Sequence, residues 1–163
     1  MIFFAVKDGK MSKLGFTKSD NFTRCMNSAV YSLAMREHSR LEIYNKLSKK
    51  DFVEGVDLDK LLDKLEENNY LNDERFAESF IRYRSTRGQG AIKITSELRL
   101  RGVNRLLVRN ALLNSGIDWF ALAKEQKEKK FGLGNPRNFK EKAKQMRFLY
   151  ARGFDSEIIR TII

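Results

Sequence analysis

Apolar residues recur every three or four positions along most of the chain, a spacing that predicts amphipathic helices. The first such run begins at Phe22, brings Cys25 and Ala29 onto one face, and ends near Glu37. Residues 1–21 lack this spacing and are rich in Lys, Gly and Ser, so we expect a flexible N-terminal extension. Strict alternation of apolar and polar residues is rare in the 163 residues, and Pro136 is the only proline. The pattern therefore predicts an all-α fold.

Helix-capping residues precede several of these runs. Ser39 followed by Glu42 forms a capping box for a helix whose Arg40 is expected to point outward. Asp57, Asn72 and Asp118 are the expected N-caps of three later helices, and Asp155 or Ser156 that of the last. The acceptor side chain of each of these residues can bind the free N–H groups of a helix's first turn.

The stretch from Asn69 to Val103 carries the clearest local signals. Phe76, Phe80 and Tyr83 form one stripe of a helix. Gly88 and Gly90 then end that helix and allow a sharp turn. Two further helices follow, the first ending at Gly102 and the second at Gly116. Their apolar positions are Ala91, Ile94 and Leu98, then Leu106, Leu107, Ala111 and Leu112.

The order of helix, basic helix, turn and short helix occurs three times. A shift of 51 residues aligns Leu47 with Leu98 and Leu149, Phe52 with Val103 and Phe154, and Gly102 with Gly153. We therefore predict three tandem three-helix repeats at residues 22–69, 70–117 and 118–163. Units of this size bury little core alone, so we expect them to stack into an elongated, curved molecule.

Charge is distributed unevenly along the chain. The net charge is +11, but residues 54–78 contain nine acids and three bases, whereas residues 79–152 contain eighteen bases and five acids. A basic stretch of this size indicates contact with nucleic acid or with an acidic protein groove. The candidate side chains for this contact are Arg82, Arg84, Arg87, Lys93, Arg99, Arg101, Arg105, Arg109, Lys140, Lys144, Arg147 and Arg152.

Catalytic and metal-binding patterns are weak. His38 is the only histidine and Cys25 the only cysteine, so neither has a partner of its own type. Gly88-Gln89-Gly90 resembles a phosphate loop only superficially, because no strand precedes it and no Gly-Lys-Ser/Thr follows. The backbone N–H groups at the start of the next helix are still able to donate hydrogen bonds to a phosphate oxygen. We expect no enzyme activity, no cofactor and no metal site.

The cysteine count, the length of the apolar runs and the heptad pattern indicate where the protein is located and whether it assembles. A lone cysteine suits a reducing cytoplasm, and no apolar run is long enough to span a bilayer. No extended heptad predicts a coiled coil, so we expect a monomer without membrane contact.

Several motifs, taken in order, resemble the RecX family, whose members regulate the recombinase RecA. They are Tyr70-Leu71-Asn72-Asp73-Glu74-Arg75-Phe76-Ala77, Arg82-Tyr83-Arg84, Gly88-Gln89-Gly90 and Ile94-Thr95-Ser96-Glu97-Leu98. Further matches are Arg36-Glu37-His38-Ser39 with Lys46-Leu47, Asp118-Trp119 with Ala121-Leu122-Ala123, and Arg147-Phe148-Leu149 with Arg152-Gly153-Phe154. The chain departs from the family pattern at Asn69, Ala91 and Lys93, where Gly, Pro and Arg are usual.

The resemblance implies a curved array of three-helix repeats that binds in the groove of the RecA–single-stranded DNA filament. It also implies a regulator of recombination and DNA repair, in the context of the SOS response, that lowers RecA ATPase, filament extension and strand exchange without a catalytic residue or cofactor. Two alternatives stay open. One is a general binding module for single- or double-stranded nucleic acid, and the other is an adaptor that uses the acidic helix at residues 57–68.

Overall fold

The computed structural model describes residues 18–163, with side chains from residue 20 onward. This part of the chain forms nine α-helices and no strand, which confirms the all-α prediction. The helices are α1 (Lys18–Met35), α2 (Arg40–Leu47), α3 (Leu58–Glu67), α4 (Asp73–Thr86), α5 (Ala91–Leu100), α6 (Arg105–Asn114), α7 (Trp119–Phe131), α8 (Phe139–Arg152) and α9 (Ser156–Ile162).

The first helix begins earlier than expected. Most of the predicted N-terminal extension, residues 1–17, lies outside the described residues. α1 starts at Lys18, four residues before Phe22, so residues 18–21 belong to the helix. Asp20 in its first turn complements the positive end of the helix dipole, a polar signal that apolar spacing alone does not register.

The predicted caps bind the first turns of their helices. Asp57, Asn72 and Asp118 each accept a hydrogen bond from the backbone N–H three residues on. Asp155, rather than Ser156, caps α9. The capping box at Ser39 forms only in part, because Ser39 Oγ accepts from Glu42 N at 3.1 Å while the Glu42 carboxylate pairs with two arginines.

Three separate apolar clusters follow one another along the chain. Their buried members are Cys25, Ala29, Ile43, Leu47, Leu58, Leu61, Leu62, Leu65 and Leu71 in the first; Phe76, Ala77, Ile81, Ile94, Leu98, Val103, Val108 and Ala111 in the second; and Ala123, Leu149, Phe154 and Ile159 in the third. Trp119, at the start of α7, packs against the second cluster. We use "first, second and third unit" for α1–α3, α4–α6 and α7–α9, and the boundaries at 69/70 and 117/118 stay a prediction.

The register of 51 residues corresponds to a repeated helix ending. Leu98 and Leu149 are fully buried, and each accepts a hydrogen bond at 3.2 Å from the amide five residues on. Gly102 and Gly153 lie between the donor and the acceptor of these two hydrogen bonds. Their φ values are +79° and +84°, which residues with a side chain rarely adopt. α5 and α8 therefore end in the same way, on the left-handed glycines that the sequence aligns.

Two apolar positions were misassigned by periodicity. Tyr83 is 53% exposed, whereas the buried stripe of α4 runs through Phe76, Ala77 and Ile81. Leu106 is 62% exposed, since the inner face of α6 is formed by Val108 and Ala111. An apolar residue at helical spacing predicts burial only if a neighbouring helix covers that face.

Candidate nucleic-acid interface and the joints between units

The fourth to ninth helices carry most of the basic side chains predicted for partner contact. In the second unit Arg82, Arg99, Arg105 and Arg109 are exposed. Lys140, Lys144 and Arg147 are exposed along α8. Within residues 18–163 none of these seven forms an ion pair with a carboxylate, so their charge is available to an anionic partner.

Three other predicted side chains are engaged inside the protein. Arg84 pairs with Glu97 at 2.6 Å, and its guanidinium lies 5.0 Å from the centre of the Phe80 ring. Arg101 pairs with Glu42 across two units at 3.3 Å. Arg152 donates to the Arg87 and Gly88 carbonyls at 3.0 and 3.2 Å. Their positive charges therefore hold the fold together as well as contributing to the basic surface.

Arg87 and Lys93 are exposed to solvent and also make a contact inside the protein. Both are exposed, but the Arg87 guanidinium lies 5.4 Å from the centre of the Tyr83 ring, an exposed cation–π contact. The Lys93 backbone packs closely against Gly153, which fixes the start of its side chain while its ammonium group reaches solvent. Each can serve both a structural contact and an anionic partner.

The first and second units meet through polar side chains, at what we name the first joint. Ser39 Oγ donates to the Arg101 carbonyl at 2.7 Å, and Arg40 N donates to Asp73 Oδ1 at 2.8 Å. Arg75 Nε lies 2.6 Å from Glu37 Oε1. Burial raises the pKa of Asp73, an effect that the Arg40 amide partly offsets.

Arg40 also lies within an ionic cluster of the first unit. It was expected to point outward, but its guanidinium binds Asp59, Asp63 and Glu66 at 3.3, 2.8 and 2.8 Å. The acidic face of α3 turns this side chain inward. It is 29% exposed as a result.

The second and third units meet through backbone atoms, at what we name the second joint. Gly90 N donates to the Arg152 carbonyl at 2.8 Å, and Ile92 N donates to the Gly153 carbonyl at 3.0 Å. A Cβ on Gly90 would lie only 2.6 Å from the Phe154 nitrogen. The glycine pair is thus a docking surface as well as a turn, and the Gly90 and Ile92 amides are bonded to the third unit rather than open to a phosphate.

The two joints use equivalent positions. A shift of 51 residues maps Ser39 onto Gly90 and Arg101 onto Arg152. In each joint the C-terminal end of the middle helix of one unit meets the N-terminal end of the middle helix of the preceding unit. α8, α5 and α2 therefore follow one another end to end, with carbonyl ends meeting amide ends.

Four basic residues of the first unit outside the predicted set line one groove beside α2. They are Arg36, Lys46, Lys49 and Lys50. Their signal in the sequence was weak because the neighbouring acids of residues 54–78 dominate the local charge. In space four of those acids lie on α3, namely Asp59, Asp63, Glu66 and Glu67. Lys46 lies on α2, and Lys49 and Lys50 follow just after its C-terminal end.

His38 and Cys25, the single imidazole and the single thiol of the sequence, are both buried. Burial lowers the pKa of His38, although a hydrogen bond to the Arg36 carbonyl opposes the shift. Burial raises the pKa of the Cys25 thiol. Across residues 18–163 no three His, Cys, Asp or Glu side chains are grouped to hold a metal ion. No helix in that range is long and apolar enough to cross a membrane.

Comparison with known proteins gives consistent matches. Sequence models of the second and third three-helix domains of RecX match residues 72–112 and 117–163. The regulatory protein RecX of Halorhodospira halophila is 38% identical over 134 residues, 82% of this chain and 83% of that protein. Regulatory protein RecX of Chromohalobacter salexigens is 42% identical over 134 residues, 82% of this chain and 87% of that protein.

A solved structure has the same fold. The crystal structure of RecX from Lactobacillus salivarius superposes with a TM-score of 0.70 at 23% identity, covering 88% of this chain and 95% of that one.

Proposed function

The chain belongs to the RecX family of regulatory proteins, and we propose that it regulates the RecA recombinase without being an enzyme. In this proposal it binds in the groove of the RecA–single-stranded DNA filament. It then lowers RecA ATPase, filament extension and strand exchange. The cytoplasm is its expected location, because RecA acts on the chromosome.

The observation that carries the proposal is the set of exposed, unpaired basic side chains on the second and third units. Arg82, Arg99, Arg105 and Arg109 offer positive charge on one unit, and Lys140, Lys144 and Arg147 offer it on the next. A line of phosphates neutralises such side chains with release of bound counterions, which favours binding strongly at low salt. Arg84 and Arg152 contribute to the same surface potential while keeping their internal contacts.

The test is RecA's DNA-dependent ATPase measured with increasing amounts of the protein. Inhibition well below one copy per RecA is expected for a regulator that blocks filament growth. Inhibition only when the DNA is saturated would instead support the second candidate, a general nucleic-acid-binding module. No effect at all would support an adaptor role for the acidic α3.

Charge reversal tests whether the exposed basic side chains of the second and third units are needed for RecA inhibition. The triple variant Arg99→Glu, Arg105→Glu and Arg147→Glu should lose inhibition while keeping the helical circular dichroism spectrum, because all three side chains are exposed. A matched control reverses the same amount of charge at exposed positions outside the predicted set, Lys60, Lys124 and Arg160. Equal loss in both variants would show that net charge alone matters, and unchanged inhibition in the first would refute the assignment.

A further inference from the structure

Two grooves adjoin at the first joint. Both are lined by Arg36 and Glu42. One continues over the second unit past Arg84 and Arg101, and the other continues along α2 past Lys46, Lys49 and Lys50. Cationic side chains therefore follow one another from the first unit to the second, and Glu42 lies where the two grooves join.

Glu42 neutralises two of these cations at once. Its Oε2 lies 3.0 Å from Arg36 Nη1, and its Oε1 lies 3.3 Å from Arg101 Nε. The Arg36 side chain is 58% exposed, so solvent and solutes reach this ion pair. The Glu42 and Arg101 side chains are only 23% and 28% exposed, so another anion reaches Glu42 first from the solvent-screened Arg36 side, where the ion pair contributes little net free energy.

Aromatic rings lie along the same groove. The guanidinium of Arg101 lies 4.7 Å from the centre of the Phe80 ring, and Tyr83 on the next turn exposes 53% of its surface. Phosphates pair with guanidinium groups, and unstacked bases stack on exposed rings. Arginines and an exposed tyrosine in one groove therefore fit single-stranded nucleic acid better than a duplex, whose bases are already stacked.

The two joints differ in how an anion would affect them. The second joint is held by the N–H groups of Gly90 and Ile92 and by the Arg152 guanidinium, all of which donate to carbonyls. The first joint is held by the Glu42–Arg101 and Glu37–Arg75 ion pairs, by the Ser39 hydroxyl and by the Arg40 N–H bond to Asp73. A phosphate therefore has a carboxylate to displace from an arginine at the first joint and has none to displace at the second.

We propose that the two grooves form a binding track for the phosphodiester backbone of single-stranded nucleic acid, and that a bound phosphate displaces Glu42 from Arg36 and Arg101. The exchange loosens the first joint, so that the first unit changes its position relative to the second. The second and third units stay joined as one body. The inference rests on the proposed function only in taking nucleic acid as the partner.

The first test is the affinity of a short oligothymidylate, measured by fluorescence anisotropy. Glu42→Gln keeps the size of the side chain and removes the competing charge, so binding should tighten roughly threefold to tenfold at low salt. Glu157→Gln changes the net charge equally at an exposed position on α9 and serves as the control. Equal effects of the two variants, or no tightening in Glu42→Gln, would overturn the exchange.

The second test measures distances between units with pairs of spin labels. Asn27→Cys with Asn110→Cys spans the first joint, and Asn110→Cys with Thr161→Cys spans the second. Cys25 is fully buried and can be left in place. Oligothymidylate should shift or broaden the first distance distribution and leave the second unchanged, and Glu42→Gln should broaden the first without nucleic acid.

The outcomes separate this inference from the proposed function. Unchanged distances with oligothymidylate bound, equal changes at both joints, or no binding at all would each overturn the inference. RecA ATPase is measured on the same preparations. Retained inhibition with an unresponsive first joint would leave the proposed function standing.

Discussion

We predict that Gly90→Ala, which adds a single methyl group at the second joint, forces the second and third units apart. Gly90 has a φ of −86°, which alanine adopts without strain, so Gly90→Ala introduces no conformational penalty of its own. The new Cβ would, however, lie 2.6 Å from the Phe154 nitrogen and still closer to the Gly153 carbonyl. Backbone atoms cannot rotate away as a side chain can, so the two units must move apart.

The cost follows from the contacts that this movement breaks. Gly90 N–H and Ile92 N–H lose their carbonyl partners across the joint, which lie at 2.8 and 3.0 Å. Each such hydrogen bond contributes about 1 kcal/mol net, and up to about 3 kcal/mol if a group stays buried without a partner. We expect Gly90→Ala to destabilise the protein by about 2–4 kcal/mol, or roughly 4–16 °C in Tm.

Two other glycines provide matched controls for chemical unfolding followed by circular dichroism. Gly134 has no left-handed φ and nothing within 4 Å of an added Cβ, so Gly134→Ala should change the free energy of unfolding by less than about 0.5 kcal/mol. Gly116 has equal space but a φ of +65°, so Gly116→Ala should cost about 1 kcal/mol through conformation alone. If Gly90→Ala matched Gly134→Ala, the close backbone contact between units would be refuted.

Three further predictions concern single side chains. Ser39→Ala should lower the free energy of unfolding by about 1–3 kcal/mol in a urea titration, because the hydroxyl both caps α2 and donates to the Arg101 carbonyl; a change below about 0.5 kcal/mol would contradict this. His38 is the only histidine, so proton NMR can follow its ring directly, and its midpoint should lie below 6.5. Because its folded pKa is lowered, His38 should make the protein less stable as the pH falls below 6.5, and His38→Gln should remove that dependence. Gln145 is 6% exposed with Oε1 lacking a partner, so Gln145→Met should be neutral or stabilising by about 1 kcal/mol in thermal unfolding, and clear destabilisation would reveal a bond to that oxygen.

The sequence predicted the helices well because their signals are local. Capping residues such as Asp57 and Asn72 act on amides three positions away, and left-handed glycines such as Gly153 end a helix through their own backbone. The 51-residue register also aligns Leu98 with Leu149, and both side chains are fully buried. Caps and helix-ending glycines depend on few residues, all close along the chain.

The contacts between units could not be predicted in the same way. Arg101 and Glu42 are 59 positions apart, and nothing local indicates that they pair. Arg84 likewise appears as one more base in a basic stretch, although Glu97 on α5 holds it. Composition therefore reports how many charges a surface has, while the fold decides which of them are already neutralised.

The two joints explain why equivalent positions carry different residues. At the first joint the contact to the Arg101 carbonyl is made by a side-chain hydroxyl, so position 39 needs Ser. At the second joint the contact to the Arg152 carbonyl is made by the backbone amide, so position 90 needs the closest approach and hence Gly. Alanine suits neither position, since it lacks the hydroxyl at one joint and its methyl group would clash at the other. The same end-to-end arrangement of middle helices is thus built once with a side-chain hydroxyl contact and once with a backbone amide contact.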